Sequence, residues 1–457
     1  MAKRNEQDSL GVVQVPEDAY YGAQTERARV NFSDSGLRPP LEVIHAVAMI
    51  MRFAAEVNLA LNQLDSGLAE AIREAASEVM AGKFDQDFVV DLFQTGSGTS
   101  TNMNVNEVIA GRANELLTGR RGGKEPVHPN DHVNLGQSSN DVFPTAIHLA
   151  AMTAVYEKLL PCLEMLQQSL IEKAAAFKAI RKIGRTHLQD AVPIMLGDEF
   201  GGYARQVALS ASRIASAAED LRELALGGTA VGNGLNTHPG FAERVIAMLS
   251  QRTGIDFKEA VNHFEAQSAK DAAVAVSGTL RSAAVSITKI ANDIRLMSSG
   301  PRCGIGEITL PSLQPGSSIM PGKVNPVIPE SLLQICAQVI GNDTTIMLSG
   351  QGGVFELNTM MPVIAYNLIQ SIQLLALGVR SLAEKCITGI VANPETCAAY
   401  VDKSLAIATY LVPALGYDRA AAVSKKAHHS GRSIREIVLE EGLMPGEAFD
   451  RLLQAQK

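Results

Sequence analysis

The chain has 457 residues, of which 46% are hydrophobic and 19% are charged. A chain of this length exceeds the size at which one core stops growing, so two or three domains are expected, and the composition excludes a disordered protein. The formal net charge of -8 argues against nucleic acid as a partner. Any affinity for an anion must therefore come from local cations and backbone N–H groups.

Cysteine usage and the first residues predict a cytoplasmic location. The five cysteines are scattered without a C-x-x-C pair, so neither a disulfide framework nor a zinc site is expected. No apolar run follows the basic pair Lys3-Arg4, so no signal peptide is expected. The uncharged stretch 357–379 is interrupted by Asn, Gln and Pro, which predicts a buried helix and no membrane span.

Residues 1–137 are predicted to form a mostly helical N-terminal domain. Apolar residues at helical spacing predict helices over 41–61, 68–80 and 102–117, and the last of these ends before Gly119. Turn-rich sequence follows, up to the end of this domain.

Residues 138–393 are predicted to form a central domain, a bundle of long helices. Asp141 is placed to cap a helix that opens at Pro144, where a missing N–H costs nothing. The same periodicity continues through most of this domain. Further long helices are predicted over 198–226, 268–299, 332–348 and 357–382.

The helix predicted over 268–299 carries the most regular pattern. Its apolar residues alternate spacings of four and three, as in a heptad seam, and Gly300-Pro301 ends it. Many Ala, Ser and Gly residues leave slim surface on more than one side, which permits close packing between subunits. We therefore expect an oligomer; the alternative is a monomer with an Ala-rich face toward water.

Residues 394–457 are predicted to form a small C-terminal domain of short helices, broken by glycines. No stretch has the period-two spacing of a sizeable sheet, and neither G-x-G-x-x-G nor G-x-x-x-x-G-K-[ST] occurs. The predicted fold class is therefore all-α, without a nucleotide-binding fold.

Four polar stretches interrupt the helical pattern and share hydroxyls, amides and turn residues. Such groups at a helix start, with its free N–H groups, form an anion site. N-capping alone explains a single Ser or Thr there, but four stretches with surplus hydroxyls favour a binding site. The stretches lie at 96–104, 137–141, 184–193 and 316–326.

The stretch 316–326 contains two Gly, two Pro, two Ser, a Lys and an Asn, so it can continue neither neighbouring helix. A loop of this kind can bind and deprotonate a small anion, although it could also be an ordinary connector. In the stretch 184–193, His187 is able to exchange protons near neutral pH. Glu330 is a candidate partner that would orient a histidine.

These stretches resemble the class II fumarases of the fumarase/aspartase superfamily, and the resemblance covers essentially the full length. It implies the all-α fold of that superfamily, with a central long-helix bundle. It also implies hydration of fumarate to L-malate through an aci-carboxylate, and a homotetramer whose active sites each take loops from three subunits. The residues that carry it are Thr95 to Thr99, His128 to Asp131, Gln137 to Asp141, Gly184 to Pro193, Leu226 to Gly232, Ser299 to Gly304 and Gly316 to Pro326.

By this resemblance Ser317 is the base that removes the C3 proton of malate, and Lys323 helps to stabilise its alkoxide. His187, paired with Glu330, activates or protonates the water that adds or leaves. No metal or other cofactor is implied. The residues implied to hold the substrate carboxylates are Ser97, Thr99, Ser138, Ser139, Asn140, Thr186, Ser318, Lys323 and Asn325. The residues implied to form a second, non-catalytic dicarboxylate site are His128, Asn130 and Asp131.

The sequence departs from the fumarase pattern at several positions. Val327 to Pro329, just after the loop, is similar to aspartase, and Phe93 and Asn233 stand where fumarases commonly carry Trp and Thr. Addition of ammonia to fumarate, giving aspartate, is therefore the alternative reaction. A catalytically silent helical oligomer is a further alternative, disfavoured because all four candidate catalytic side chains are present. The residues that favour the hydratase are Ser97, His128 to Asp131, Ser139 and Gly228.

Overall fold

A computed structural model describes residues 2–454, and over this range the fold is all-α, as predicted. Several helices exceed 20 residues, because their apolar side chains recur at helical spacing without an internal Gly-Pro break. The helices of the described range are Ala23–Asn31 (α1), Leu41–Ala60 (α2), Ser66–Met80 (α3), Thr99–Thr118 (α4), Ser139–Ala154 (α5), Leu160–Ala176 (α6), Leu196–Ala218 (α7), Phe241–Thr253 (α8), His263–Ser268 (α9), Asp271–Met297 (α10), Val327–Gly350 (α11), Met361–Lys385 (α12), Pro394–Lys403 (α13), Val412–Leu415 (α14), Tyr417–Ser430 (α15), Ile434–Glu440 (α16) and Gly446–Gln454 (α17).

The strands are short and form separate two-stranded sheets. All pairs are antiparallel except β5 with β6; the others are β1 with β2, β3 with β4, β7 with β10 and β8 with β9. The described strands are Lys3–Asp8 (β1), Gly11–Pro16 (β2), Arg181–Thr186 (β3), Gln189–Met195 (β4), Glu223–Leu224 (β5), Lys258–Glu259 (β6), Ile308–Thr309 (β7), Gly353–Val354 (β8), Leu357–Asn358 (β9) and Val391–Ala392 (β10).

Short π- and 3-10 segments connect some of these elements. The π-helical segments are Pro129–Val133 and Val155–Leu159. The 3-10 segments are Asp85–Asp87, Glu219–Arg222, Ile387–Gly389 and Leu405–Leu411.

The heptad seam predicted over 268–299 is confirmed in α10. Val276, Leu280, Ile287 and Ile294 are all fully buried, with 0% of their surface exposed. The helix has 27 residues and is therefore about 40 Å long at 1.5 Å per residue. Between α10 and α11 the chain forms the short strand β7 and is otherwise irregular, and this segment includes the loop 316–326.

The predicted start of α5 is wrong. The helix begins at Ser139, so Ser138 is its N-cap and Pro144 lies inside the first turns. Asp141 is the third helical residue and bonds back to the N–H of Ser138, which makes a reciprocal capping box. By residue type, both Ser138 and Asp141 could cap the helix, and the backbone conformation shows that Ser138 does so.

The described fold divides into two compact units. Unit 1 comprises Met1–Cys162, Ser210–Val285 and Ile335–Leu377, and unit 2 comprises Leu163–Leu209, Ser286–Gln334 and Gly378–Lys457. Several of these boundaries fall inside helices, so the units are not successive pieces of sequence. The division into residues 1–137, 138–393 and 394–457 stays a prediction.

Two segments are long and apolar enough to cross a membrane by length and composition alone. They are Leu41–Ala60 and Met361–Gly389, and 67% and 61% of their most apolar windows are buried inside the structure. That degree of burial is typical of helices that form a protein core. The second segment includes most of the uncharged stretch predicted to be a buried helix.

Candidate active site

Three hydroxyl side chains meet where two helices of unit 1 begin. Ser97 Oγ lies 2.7 Å from Thr99 Oγ1, which lies 2.6 Å from Ser139 Oγ. Thr99 and Ser139 are the first residues of α4 and α5, so these hydroxyls lie at the N-terminal ends of two helices. We name these three residues the hydroxyl cluster. Such a cluster can bind a carboxylate without a formal positive charge.

Two glycines allow the hydroxyl cluster to form. Gly98 caps α4 with a φ of 75°, and a Cβ at this position would collide with the ring of the buried Phe143. The carbonyl of Gly96 accepts a hydrogen bond of 3.0 Å from the N–H of Met361, and a Cβ on Gly96 would collide with Thr359 O. Only glycine allows the backbone to approach its neighbours this closely at both positions.

The buried carboxylate of Asp141 joins the start of α5 to the loop Leu226 to Gly232. It accepts hydrogen bonds from the N–H groups of Ser138 at 2.9 Å, Gly227 at 3.0 Å and Thr229 at 2.9 Å. Burial raises the pKa of Asp141 to about 6, and the three N–H donors act in the opposite direction. The sequence indicated only a capping role, because the contacts with the loop join residues more than 80 positions apart.

Ser138 and Asn140 complete this part of the site. Ser138 Oγ accepts a hydrogen bond of 3.2 Å from the N–H of Asn140, whose Nδ2 donates to Ala230 O at 2.8 Å. The structure thus brings five of the predicted substrate-binding residues together in unit 1. They are Ser97, Thr99, Ser138, Ser139 and Asn140.

The residues predicted to form a second dicarboxylate site also lie in unit 1, at the π-helical segment Pro129–Val133. His128 Nδ1 accepts hydrogen bonds of 3.2 Å from the N–H groups of both Asn130 and Asp131. The pKa of His128 is lowered, mainly by desolvation, and the nearby Asp131 carboxylate offsets only part of this shift. The three residues therefore form one local group, whose ligand stays a prediction.

His187 lies in unit 2 at the tip of the hairpin formed by β3 and β4. Thr186 pairs with Gln189, so His187 and Leu188 form a two-residue turn with φ values of 56° and 61°. A type I′ turn requires positive φ at both positions, which non-glycine residues adopt only at a cost in energy. The turn presents His187 to solvent beside the exposed Thr186. Strain of this kind clusters at functional sites.

The loop 316–326 is held by hydrogen bonds between its own residues. The N–H of Gly316 donates to Lys323 O at 2.7 Å, and Asn325 Nδ2 donates to Gly316 O at 2.7 Å. Within the loop so closed, Ser317 Oγ accepts hydrogen bonds from the N–H groups of Ile319 at 3.2 Å and Met320 at 3.0 Å. Two N–H donors aimed at one hydroxyl oxygen would stabilise its alkoxide.

The remaining predicted site residues of unit 2 have fewer contacts with other side chains. Lys323 and Ser318 are exposed, and Glu330 lies in the first turn of α11, 4.0 Å from Arg295. Within residues 2–454 of this single chain, no hydrogen bond joins His187 to Glu330. The pairing of these two side chains stays a prediction. No group of three or more His, Cys, Asp or Glu residues that could hold a metal ion occurs among the described residues.

Comparisons with known proteins identify the family of this chain. A model of the lyase family matches residues 11–341, and a model described as the fumarase C C-terminus matches residues 407–457. The chain is 52% identical to the fumarate hydratase class II of Thermosynechococcus vestitus, over 99% of this chain and 97% of that protein. Identity to the corresponding protein of Nitrosomonas europaea is also 52%, over 99% and 98%. The crystal structure of a class II fumarase from Schistosoma mansoni has a TM-score of 0.95, with 43% identity, covering 99% of this chain and 98% of that one.

The all-α fold is that of a lyase of the fumarase/aspartase superfamily. Within the lyase family, the chain belongs to the class II fumarate hydratases. The predictions of superfamily, fold and enzyme class are therefore confirmed. Members of this family act on a dicarboxylate substrate.

Proposed function

We propose that this protein catalyses the reversible addition of water to fumarate, giving L-malate. Identity of 52% to fumarate hydratases over nearly the full length supports this reaction. The hydroxyl cluster supports it too, because neutral donors at two helix starts suit a carboxylate. Addition of ammonia is not favoured, since the named relatives are hydratases.

The environment of Ser317 is the observation that carries the proposal. A serine hydroxyl is a poor base unless its alkoxide is stabilised. The two N–H groups that donate to Ser317 Oγ, from Ile319 and Met320, provide that stabilisation. In the dehydration direction, the Ser317 alkoxide takes the C3 proton of malate, and the electron pair moves into the adjacent carboxylate to form the aci-carboxylate. Lys323 lies in the same loop and adds positive charge.

His187 acts on the oxygen at C2. When the aci-carboxylate collapses to fumarate, the C2–O bond breaks and His187 donates a proton to the departing hydroxyl, which leaves as water. In hydration the same imidazole accepts that proton from water. Glu330 orients His187, and we propose that the two side chains meet between subunits, because no hydrogen bond joins them within the described residues of one chain.

The other polar residues hold the two carboxylates. Asn325 Nδ2 is already engaged with the loop, so its role is to set the position of Ser317 as well as to bind substrate. Thr186 lies beside His187, and its hydroxyl binds the same substrate carboxylate as Asn325. The hydroxyl cluster, with Ser138 and Asn140, receives the other carboxylate. The group at His128 takes a second dicarboxylate outside the catalytic site.

We also propose a homotetramer with each active site shared between three subunits. Large apolar side chains are exposed on three long helices: Val285 of α10 is 57% exposed, Leu348 of α11 is 59% exposed and Leu377 of α12 is 63% exposed. Association through these helices would remove that surface from water. The proposed location is the cytoplasm, and no cofactor is required for the reaction as written.

A two-substrate assay tests the reaction. Protein treated with a chelator is mixed with fumarate in ammonium chloride, and malate and aspartate are quantified together by chromatography. We expect malate to form at turnover numbers of about 1–10³ per second, the usual range for enzymes, and we expect no aspartate. Sodium chloride in place of ammonium chloride is the control, and it should leave the malate rate unchanged. Aspartate without malate would overturn the proposed reaction.

A further inference from the structure

A cluster of four charged side chains, two of them fully buried, lies along strand β3 of the hairpin that carries His187, and the proposed mechanism does not use it. We propose that Glu307 is a positioning residue. It fixes the position of His187 by connecting the base of that hairpin to its tip. This inference rests on the proposed function, in which His187 exchanges the proton of water. Neither the family resemblance nor the motifs of the sequence pointed to Glu307.

Glu307 contacts two cations of strand β3. Its Oε2 lies 3.1 Å from Lys182 Nζ, and its Oε1 lies 2.9 Å from Arg185 Nη1. The Glu307 side chain is fully buried and Lys182 is only 1% exposed, so water screens the contact between them very little. Lys182 also bonds to Glu199 Oε1 at 2.8 Å, which balances the charges of the cluster.

The strand that Glu307 contacts is interrupted. The pairing of β3 with β4 shifts register between Ile183 and Arg185, as in a β-bulge, and bulges disrupt the backbone ladder locally. Gly184 lies at this point, and a Cβ there would lie 2.7 Å from Val192 O, so the two strands approach closely only because it is glycine. Beyond the shift only two residue pairs remain, and they hold the tip that carries His187.

Glu307 spans this interruption. Lys182 lies on the base side of the register shift and Arg185 lies on the tip side. Since these residues are three positions apart, their side chains leave opposite faces of a regular strand, yet both reach the same carboxylate. Glu307 therefore connects the base and the tip of the hairpin at the point where the backbone hydrogen bonds are interrupted.

The carboxylate is itself attached to a fixed backbone. The N–H of Glu307 donates to Met297 O at 2.8 Å, and its carbonyl accepts from the N–H of Asn393 at 2.9 Å, immediately before β7. Arg185 precedes His187 by only two residues, so a displacement of Arg185 moves the turn. A misplacement of about 1 Å in a reacting group can cost 10²-fold in rate. Glu307 thus has the geometry to affect kcat without touching the substrate.

The test compares Glu307→Gln with Glu199→Gln. Both substitutions remove one negative charge from the same cluster, but only the first removes the contact with Arg185. We expect Glu307→Gln to lower kcat roughly tenfold to a hundredfold with KM changed by less than about twofold, and Glu199→Gln to lower kcat by less than about threefold. Size-exclusion chromatography establishes that both variants assemble. Equal effects of the two substitutions, or a kcat within about twofold of wild type in Glu307→Gln, would overturn the proposal.

Coupling to His187 separates positioning from a general loss of structure. In the His187→Asn background, Glu307→Gln should lower the residual kcat by less than about twofold, because the group it positions has been removed. A reduction as large as in the wild-type background would contradict the proposal. Should Glu307→Gln fail to assemble, Glu307→Asp, which is one methylene shorter, is judged by the same criteria.

The hydratase activity of the wild-type protein distinguishes a failure of this inference from a failure of the proposed function. Wild-type protein that forms no malate from fumarate would refute the proposed function itself. Wild-type hydratase activity combined with an unaffected Glu307→Gln variant would refute only the positioning role of Glu307.

Discussion

The hydroxyl cluster and the loop 316–326 contain the same types of side chain under opposite conditions. In the hydroxyl cluster, Ser97 is only 6% exposed, each hydroxyl bonds to another, and the bond between Thr99 and Ser139 joins two helix starts. In the loop, Ile319 is 83% exposed and Met320 is 47% exposed, and the side chain of Ser317 is held by the loop's own backbone. The hydroxyl cluster is thus part of the packed fold, whereas the loop is exposed to solvent.

This difference fits two tasks. Binding a carboxylate needs donors that are already in place, so that no ordering cost is added when the substrate arrives. Removing a proton needs a group that can approach the substrate and be shielded from water at that moment. The exposed apolar side chains of the loop would be covered in the shared active site that we propose, which provides that shielding. Substitutions in each region test the two roles separately.

The largest effect is expected in the loop. Ser317→Ala removes the proposed base, and kcat should fall by about 10³-fold or more, because proton transfer by a positioned group contributes 10²–10⁴-fold. The loop backbone should survive, since Gly316 N–H, Lys323 O and Asn325 hold it without the serine hydroxyl. The measurement is steady-state kinetics of malate dehydration, with assembly checked by size-exclusion chromatography. Ser312→Ala, an exposed serine outside the loop, is the matched control and should keep wild-type kcat.

A Ser317→Ala variant with wild-type kcat would remove Ser317 from the role of base. The loop and the hydroxyl cluster would then have the same role, which is to bind substrate.

A smaller effect is expected when the hydroxyl cluster is disturbed through its backbone. Gly98→Ala and Gly119→Ala both place a side chain at positive φ, 75° and 74°, at the two ends of α4. Each should cost about 1–3 kcal/mol for the backbone conformation. Only Gly98→Ala also collides with Phe143, whereas Gly119 has open space around it.

We therefore expect Gly98→Ala to lower kcat/KM roughly tenfold to a hundredfold, and Gly119→Ala to leave kcat/KM within about twofold of wild type. Thermal unfolding and steady-state kinetics measure the two effects. Similar kcat/KM values in the two variants would mean that the hydroxyl cluster need not be pre-formed.

The smallest effect concerns the pH dependence of substrate binding. Burial raises the pKa of Asp141 from 3.8 to about 6, so this carboxyl takes up a proton as the pH falls through 6, where an exposed aspartate stays ionised. Protonation removes the charge toward which the N–H groups of Gly227 and Thr229 point, and the loop beside Asn140 relaxes. KM for fumarate should rise by about twofold to fivefold between pH 7.5 and pH 5.5, with a midpoint near pH 6.

Two variants test whether Asp141 is responsible. Asp141→Asn cannot take up this proton, so its KM should be raised and should lack the midpoint near pH 6. Asp65→Asn changes an exposed aspartate that caps α3 through the N–H groups of Gly67 and Leu68, and it should keep the wild-type profile. A midpoint that persists in Asp141→Asn would assign the pH dependence to another group.

Most of the fold could be predicted from the sequence because the helices are long and strongly periodic. The seam of α10 and the C-terminal end of α4 follow from the spacing of apolar residues and from Gly119, whereas α4 begins at Thr99, three residues before its predicted start. The predicted start of α5 is too late in the sequence, because Ser138 and Asp141 are both good caps and only the tertiary structure distinguishes them. The two-residue turn at His187 was not predicted either, since His-Leu is not a sequence that favours positive φ.

By itself, the sequence determined the residue types of the site and the helices that carry them, because both are local properties of composition and spacing. Tertiary structure alone decided which of these groups meet: Thr99 with Ser139, Asp141 with Gly227, and Glu307 with the two cations of β3. Each of these contacts joins residues at least 40 positions apart in the chain. Contacts of that separation depend on how complete elements pack against one another, and a local pattern carries no record of that packing.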